Sequence, residues 1–123
     1  MRTDVASSLL RVGSGDEPGS LVAEFRFDPA LPVFRGHFPG RPLVPGAFEL
    51  EMARLAVERH TGLPWRIARV RRARFTGEIV PGDTILVSAR SSPREGSLDV
   101  KAALSVDGSP RASLSMTLEP AAP

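Results

Sequence analysis

The sequence predicts an α+β fold in which a curved antiparallel sheet wraps one central helix. Several segments alternate apolar and polar residues with the period of a strand, whereas one segment, FELEMARLAVERH, has the apolar spacing of a helix. That helix is apolar around much of its circumference, so it needs cover on more than one side. A sheet that curves around the helix provides such cover.

The strands are predicted from alternation. In residues 20–27, Leu21, Ala23, Phe25 and Phe27 share one face, as the period of two requires. The other predicted strands span residues 7–12, 84–91, 98–106 and 112–118, and a further extended segment follows Gly62 with Trp65, Ile67, Ala73 and Phe75 in phase.

Turn residues separate these strands. GSGDEPG joins the first two, Pro81-Gly82-Asp83 forms a later turn, and SPREG is predicted as a loop. Asp107-Gly108 is a strong signal for a two-residue hairpin. We expect the C-terminal PAAP to be frayed.

The predicted helix has a start signal and a stop signal. Pro45 suits the first helical position, because its missing N–H costs nothing there and its φ is already helical. Gly62, which follows Arg59 and His60, is the predicted C-terminal stop. His60 is interpreted as a partner of the negative helix end, and Trp65 is expected to pack against that end.

Length and composition point to one domain, residues 1–123. The chain has no cysteine, which excludes a disulfide framework and thiolate chemistry, and it has no apolar run of the roughly 20 residues that a membrane span needs. We expect a cytoplasmic protein. The formal net charge is only +2, so the charge argument for nucleic acid is weak. The arginine cluster RIARVRRAR would suit an acidic partner or a phosphate, or it is a solvated strand.

The stretch FRGHFPGRPLVPGAFELE is where the sequence places the active site. Its prolines and glycines fix the path of a loop that carries His37, one of two histidines in the chain, and the helix follows at once. Amides at Gly46 and Ala47 start the helix without intrahelical acceptors, and glycine lets another carbonyl approach the backbone closely. We include Phe38 and Pro45 with them as predicted substrate-binding residues.

Glu51 is the anomaly of the helix. A carboxylate in the second turn of a mostly buried helix needs a partner or a function. Glu49 points about 200° around the axis from it at roughly 100° per residue, so the two cannot share an environment. Glu49 is therefore interpreted as a surface charge near the positive helix end.

His37, Glu51 and the helix-start amides provide a base, an acid and an oxyanion donor. Removal of a proton α to a thioester with loss of a β-hydroxyl requires that set, because charge develops on the thioester oxygen. The alternatives are a structural loop histidine and a glutamate tied to a backbone amide or an arginine. The sequence has no nucleophile-elbow serine, no metal-ligand cluster and no Gly-rich phosphate loop after a strand.

Two blocks of the chain resemble a known family. GHFPGRPLVPG, with Glu51 fourteen positions after His37, is similar to the signature of the 3-hydroxyacyl-acyl carrier protein dehydratases, the FabZ and FabA group, and ARFTGEIVPGDTI is similar to the second block of the FabZ-type members. The resemblance implies a hotdog fold and an obligate dimer with two interfacial active sites, in which the histidine of one protomer faces the acid of the other.

Residue by residue, the resemblance implies that His37 abstracts the α-proton and that Glu51 protonates the departing hydroxyl, directly or through a water. In some accounts of the family the histidine makes both transfers. The Gly46 amide would hold the thioester carbonyl. The substrate would arrive on the phosphopantetheine arm of an acyl carrier protein, and no dissociable cofactor or metal is implied.

The chain also departs from the family. Leu55 stands where FabZ-type members carry a glutamine, the position of Glu49 is commonly apolar, and the chain has no tyrosine. These departures suit an accessory dehydratase of polyketide, aryl-polyene or other specialised acyl-chain assembly. Two other hypotheses stand: a hotdog acyl-thioesterase, and a non-catalytic module that binds acyl thioesters.

Overall fold

The computed structural model describes residues 1–35 and 40–122. Within these residues the elements are two α-helices, one 3₁₀ turn at Pro32–Phe34 and six strands. In chain order the helices and strands are α1 (Arg2–Ser8), β1 (Leu9–Ser14), β2 (Ser20–Phe25), α2 (Gly46–Thr61), β3 (Trp65–Phe75), β4 (Ile85–Arg94), β5 (Ser97–Val106) and β6 (Ser109–Pro120).

The six strands form one antiparallel sheet in the order β1-β2-β4-β5-β6-β3. α2 packs against five of these strands, β1, β2, β3, β4 and β6, and also against α1. The sheet therefore encloses the helix from several sides, and the predicted α+β class with a hotdog architecture is confirmed.

The core lies between α2 and the inner face of the sheet. On β2 and just beyond it, Leu21, Ala23, Phe25 and Phe27 are all buried, as their alternation predicted. The inner positions of β4, β5 and β6 alternate in the same way. β3 differs, since beyond its first three residues every position is exposed. Its long exposed part lies at one edge of the sheet.

The local turn predictions are confirmed where the backbone itself is diagnostic. Asp107 and Gly108 both have positive φ, 50° and 78°, and their neighbours Val106 and Ser109 pair across the hairpin. This is the backbone that a two-residue type I′ turn requires. Gly62 ends α2 in the left-handed region at φ 76°, and its N–H donates to the Glu58 carbonyl.

Three local predictions were wrong. Residues 7 and 8 belong to helix α1, and the first strand begins only at Leu9, because α1 buries Val5 completely and packs on α2. SPREG is not a loop: β4 runs to Arg94, which pairs with Ser97, so only two residues turn. The tail is anchored to residue 121, whose N–H donates to the Pro64 carbonyl.

No helix within residues 1–35 and 40–122 is both long enough and apolar enough to cross a membrane.

Candidate active site

The predicted site is described in part. His37 and Phe38 lie outside the described residues, whereas the helix start and both glutamates lie within them. Pro45 is the N-cap of α2 and not its first helical residue, a shift of one position from the prediction. The ψ of Pro45 is 148°, which is extended and not helical, so the residue lies outside the helix. Its carbonyl still accepts a hydrogen bond from the Phe48 N–H at 2.9 Å, as an N-cap carbonyl does.

Gly46 and Ala47 are the first two residues of α2. Their amides lack intrahelical acceptors by position, and neither donates a hydrogen bond to another described residue. A Cβ on Gly46 would lie 2.9 Å from Cζ of Phe75, at the end of β3. Glycine therefore lets the Phe75 ring lie directly on the helix start.

Glu51 is buried, with 5% of its surface exposed, and it is fully engaged by an arginine. Arg54 donates from Nε to Oε1 at 2.7 Å and from its terminal nitrogen to Oε2 at 2.5 Å. Arg2 lies 4.0 Å from Oε1. Both oxygens of this carboxyl therefore accept charge-assisted hydrogen bonds from one guanidinium. The structure thus shows the alternative in which an arginine ties Glu51.

Arg54 is the residue that sequence reasoning missed. It is 3% exposed, and besides Glu51 it donates to Glu58 at 2.5 Å and to the Trp65 carbonyl at 3.0 Å. The hydrogen bond with Glu51 raises the pKa of Arg54, which keeps the guanidinium charged. The spacing in the sequence could have indicated these ion pairs. Arg54 follows Glu51 by three positions and precedes Glu58 by four, and residues at these spacings are neighbours on a helix.

Glu49 is buried and not a surface charge, so the interpretation of it as exposed was wrong. Only 4% of its surface is accessible, and its Oε1 has no hydrogen-bond partner among the described residues. Burial raises the pKa of Glu49 to about 7. Glu49 and Glu51 do point to different sides of the helix, as predicted. The side that carries Glu49 also carries Met52 and Ala56, which are both completely buried, so this side faces the core and not the solvent.

Comparison with known proteins now identifies the family. A family model described as ApeI dehydratase, ApeI-like, matches residues 14–113. The chain belongs to the ApeI-like dehydratase family. The dehydratase resemblance drawn from the two sequence blocks is therefore confirmed, and so is its hotdog fold.

Curated relatives of this chain include FabZ proteins. The 3-hydroxyacyl-[acyl-carrier-protein] dehydratase FabZ of Thermus thermophilus is 39% identical over 95 residues, which cover 70% of this chain and 67% of that protein. FabZ of Streptococcus equi subsp. zooepidemicus is 33% identical over 94 residues, with the same coverage.

Solved structures share the fold at lower identity. The dehydratase heterocomplex ApeI:P from Xenorhabdus doucetiae superposes with a TM-score of 0.72 at 20% identity, over 89% of this chain and 95% of that one. A hypothetical thioesterase with coenzyme A from Streptococcus pneumoniae gives a TM-score of 0.68 at 10% identity, over 97% of this chain and 92% of that one. At these identities the likeness shows the fold alone.

The structure also locates the departure at Leu55. Leucine has no polar group, so this buried side chain makes no hydrogen bond to Glu51. Arg54, one residue earlier, supplies two hydrogen bonds instead. Arg54 thus gives Glu51 a charge-assisted contact in place of the glutamine contact that the family pattern implied.

The contacts of His60 and Trp65 lie at the other end of α2. His60 Nε2 is 3.0 Å from the Ser14 hydroxyl on β1, a contact that its predicted role at the helix end did not include. Trp65 packs at the end of the helix as predicted, and its indole N–H donates to Thr61 at 2.9 Å. Both residues lie at the end of α2 opposite Gly46, so neither belongs to the candidate site.

A groove of about 700 Å³ lies elsewhere in the described part of the molecule. It follows the β1–β2 turn and the neighbouring strands, with cations at Arg72, Arg90 and Lys101. Gly46, Glu49 and Glu51 do not line it. The groove therefore contributes nothing to the chemistry at the helix start.

Proposed function

We propose that this chain removes water from 3-hydroxyacyl thioesters carried on an acyl carrier protein, to give the trans-2-enoyl thioester. Membership of a dehydratase family supports the reaction class. The structural observation that carries the proposal is the start of α2. There the Gly46 amide lies within two helical turns of the buried carboxyls of Glu49 and Glu51. An elimination next to a thioester uses an amide donor and a carboxyl of this kind.

In the proposed reaction a base takes the proton from the α-carbon, and the electron pair moves toward the thioester carbonyl. The Gly46 amide donates to the oxygen on which negative charge develops. The bond between the β-carbon and the hydroxyl then breaks, a carboxylic acid protonates the departing oxygen, and water leaves. His37 is the base and Glu51 the acid that the family resemblance implies, and both assignments stay predictions.

The reaction is tested by mass spectrometry of 3-hydroxyacyl-carrier protein incubated with the purified protein. A dehydratase lowers the mass of the acyl group by one water molecule, and at a typical turnover of about 10 per second the product accumulates within minutes. A thioesterase releases the free acid, and a non-catalytic binder leaves the substrate unchanged.

His37→Ala is expected to abolish product formation. His60→Ala is the matched control, because it removes the other histidine at the far end of α2. Equal loss of activity in both variants would show that the effect is not specific to the predicted base. Normal activity in His37→Ala would refute the assignment of the base.

We propose further that the protein acts as a dimer assembled along β3. Among the described residues this strand is an edge of the sheet and pairs with β6 alone, so its other side presents backbone groups that no described strand pairs with. Val70 and Phe75 on it expose 43% and 48% of their surface. A second copy that pairs with this edge would satisfy the backbone and cover both side chains, which supports two sites formed between protomers.

Sedimentation or light scattering tests the dimer. Val70→Lys is expected to shift the protein toward monomer, because it places a charge on the edge to be buried. Leu86→Lys is the matched control, since Leu86 is 37% exposed on β4, away from the edge. A Val70→Lys protein that keeps the wild-type mass would refute this interface.

The arginines of β3 fit an acidic carrier protein. Arg66 and Arg71 are paired with Glu119 and Asp99. Arg69, Arg72 and Arg74 belong to the same strand and are exposed. We expect Arg74→Glu to raise KM for the carrier-bound substrate and to leave KM for the same acyl group on free pantetheine unchanged. Equal effects on both substrates would argue against a role in docking.

A further inference from the structure

The carboxyl of Glu51 is held in one orientation by Arg54. The last torsion of a glutamate side chain is broad, so the plane of an unrestrained carboxyl rotates. Here two hydrogen bonds run side by side from one guanidinium to both carboxyl oxygens, at 2.7 Å from Nε and 2.5 Å from Nη2. A bidentate pair of this kind adds geometric specificity to its energy, and it therefore fixes the plane of the carboxyl.

Arg54 is itself fixed on its other side. Its Nη1 donates to Glu58 at 2.5 Å and to the Trp65 carbonyl at 3.0 Å, and the Trp65 N–H donates to the same Glu58 oxygen at 3.1 Å. An arginine has five N–H donors in one rigid plane, and its contacts with Glu51, Glu58 and Trp65 use four of them. Because these acceptors lie on α2 and at the first residue of β3, the guanidinium cannot turn without breaking contacts to both elements.

The pair leaves part of the Glu51 carboxyl open to another molecule. The two oxygens of a carboxylate offer about four lone-pair positions, and Arg54 occupies one on each oxygen. Arg2 lies 4.0 Å from Oε1, which is beyond hydrogen-bond distance, so among the described residues only Arg54 donates to Glu51. One position on each oxygen can therefore meet a hydroxyl or a water, in a direction that Arg54 sets.

We propose that Arg54 is a positioning residue for the elimination, which fixes the direction in which Glu51 meets the departing β-hydroxyl or a water beside it. The inference rests on the proposed function, in which Glu51 is the acid. Arg54 itself touches no substrate, and none of its bonds forms or breaks. Orientation matters at this point because a misplacement of about 1 Å can cost roughly 100-fold in rate.

A purely structural tie between α2 and β3 would use the same contacts, so the test is a double-mutant cycle between Arg54 and Glu51. Arg54→Lys keeps a positive charge at this position but lacks the planar fork. It is expected to lower kcat on 3-hydroxyacyl-carrier protein by roughly 10- to 100-fold and to leave KM unchanged. In a Glu51→Gln background the same change is expected to alter kcat by no more than about 2-fold, because the acid that it orients is already absent.

Two further variants complete the design. Arg11→Lys is the matched control, since it makes the same replacement in the exposed pair of Arg11 with Glu24 and is expected to keep the wild-type kcat. Glu58→Met removes one anchor of Arg54 and leaves both members of the bidentate pair in place. It is expected to lower kcat in the same sense as Arg54→Lys, and again only while Glu51 is present.

Activities are compared per mole of folded protein, measured by circular dichroism. A wild-type kcat in Arg54→Lys overturns the inference. So does a loss that persists undiminished on top of Glu51→Gln, which is the result that a structural tie predicts. If Arg54→Lys does not fold, Glu58→Met decides by the same two criteria. These outcomes leave the proposed function standing, whereas a wild-type protein that removes no water overturns the proposed function, and the inference with it.

Discussion

Ionisation of Glu49 should make the stability of this protein fall as the pH rises. Its folded-state pKa is about 7 and its ordinary value is 4.5, so the folded state binds more protons than the unfolded state between these values. Stability is then highest below pH 4.5 and is lost as the pH rises through 7. Integrated from pH 5 to pH 8, the loss from this one group is about 2.5 kcal/mol.

Urea unfolding followed by circular dichroism at pH 5 and pH 8 measures this loss. For a domain of this size, about 2.5 kcal/mol moves the unfolding midpoint by roughly 1–2 M urea. Glu49→Gln cannot ionise at this position, so its midpoint should lack this component. The quantity to compare is the difference between wild type and variant at each pH, since the other titrating groups cancel in it.

Glu24→Gln provides a control of opposite sign. Glu24 is on β2, and the hydrogen bond from Arg11 lowers its pKa. Its contribution to stability is present at neutral pH and is lost as the pH falls through its folded pKa. Parallel pH profiles for wild type and Glu49→Gln would refute the reasoning, because they would show that the Glu49 carboxyl finds a donor or solvent in the assembled protein.

Three further predictions follow from the same helix and its ends. Arg54→Met should destabilise the protein by about 3–5 kcal/mol in chemical unfolding, because it leaves the buried Glu51 carboxylate without its partner; a loss below about 1 kcal/mol would contradict this. Gly62→Ala should cost about 1 kcal/mol, measured by the thermal midpoint, since alanine is strained at φ 76°. Gly46→Ala should cost more with Phe75 present than in Phe75→Ala, by about 0.5–1 kcal/mol in a double-mutant cycle, and additive effects would contradict the contact.

Local signals predicted the parts of the fold that local physics decides. Asp107-Gly108 supplies two residues that tolerate positive φ, and no other part of the chain is needed to form that turn. Gly62 ends α2 for the same reason. The extension of β4 and β5 through SPREG depends instead on cross-strand pairing, which no short window of sequence contains. Helix α1 likewise depends on the burial of Val5.

The candidate site likewise has features that the sequence predicted and features that only the structure shows. The loop composition and the position of Glu51 were visible in the sequence, because a carboxylate among apolar residues breaks a pattern. The pairing of Glu51 was left open, since spacing alone did not select Arg54 over a backbone amide. The structure decides it in favour of the arginine, which is buried and bonded to Glu51, Glu58 and the Trp65 carbonyl.

The error at Glu49 has a general physical cause. Helical periodicity gives the angle between two side chains, but it does not say how far around the helix the surrounding layer extends. A single sheet face would have left one of the two glutamates in water. Because α2 packs against five strands and against α1, both glutamates are buried, and each meets a different environment. Arg54 pairs with Glu51, whereas Glu49 has no donor to its Oε1 among the described residues, and its burial raises the pKa of its carboxyl to about 7.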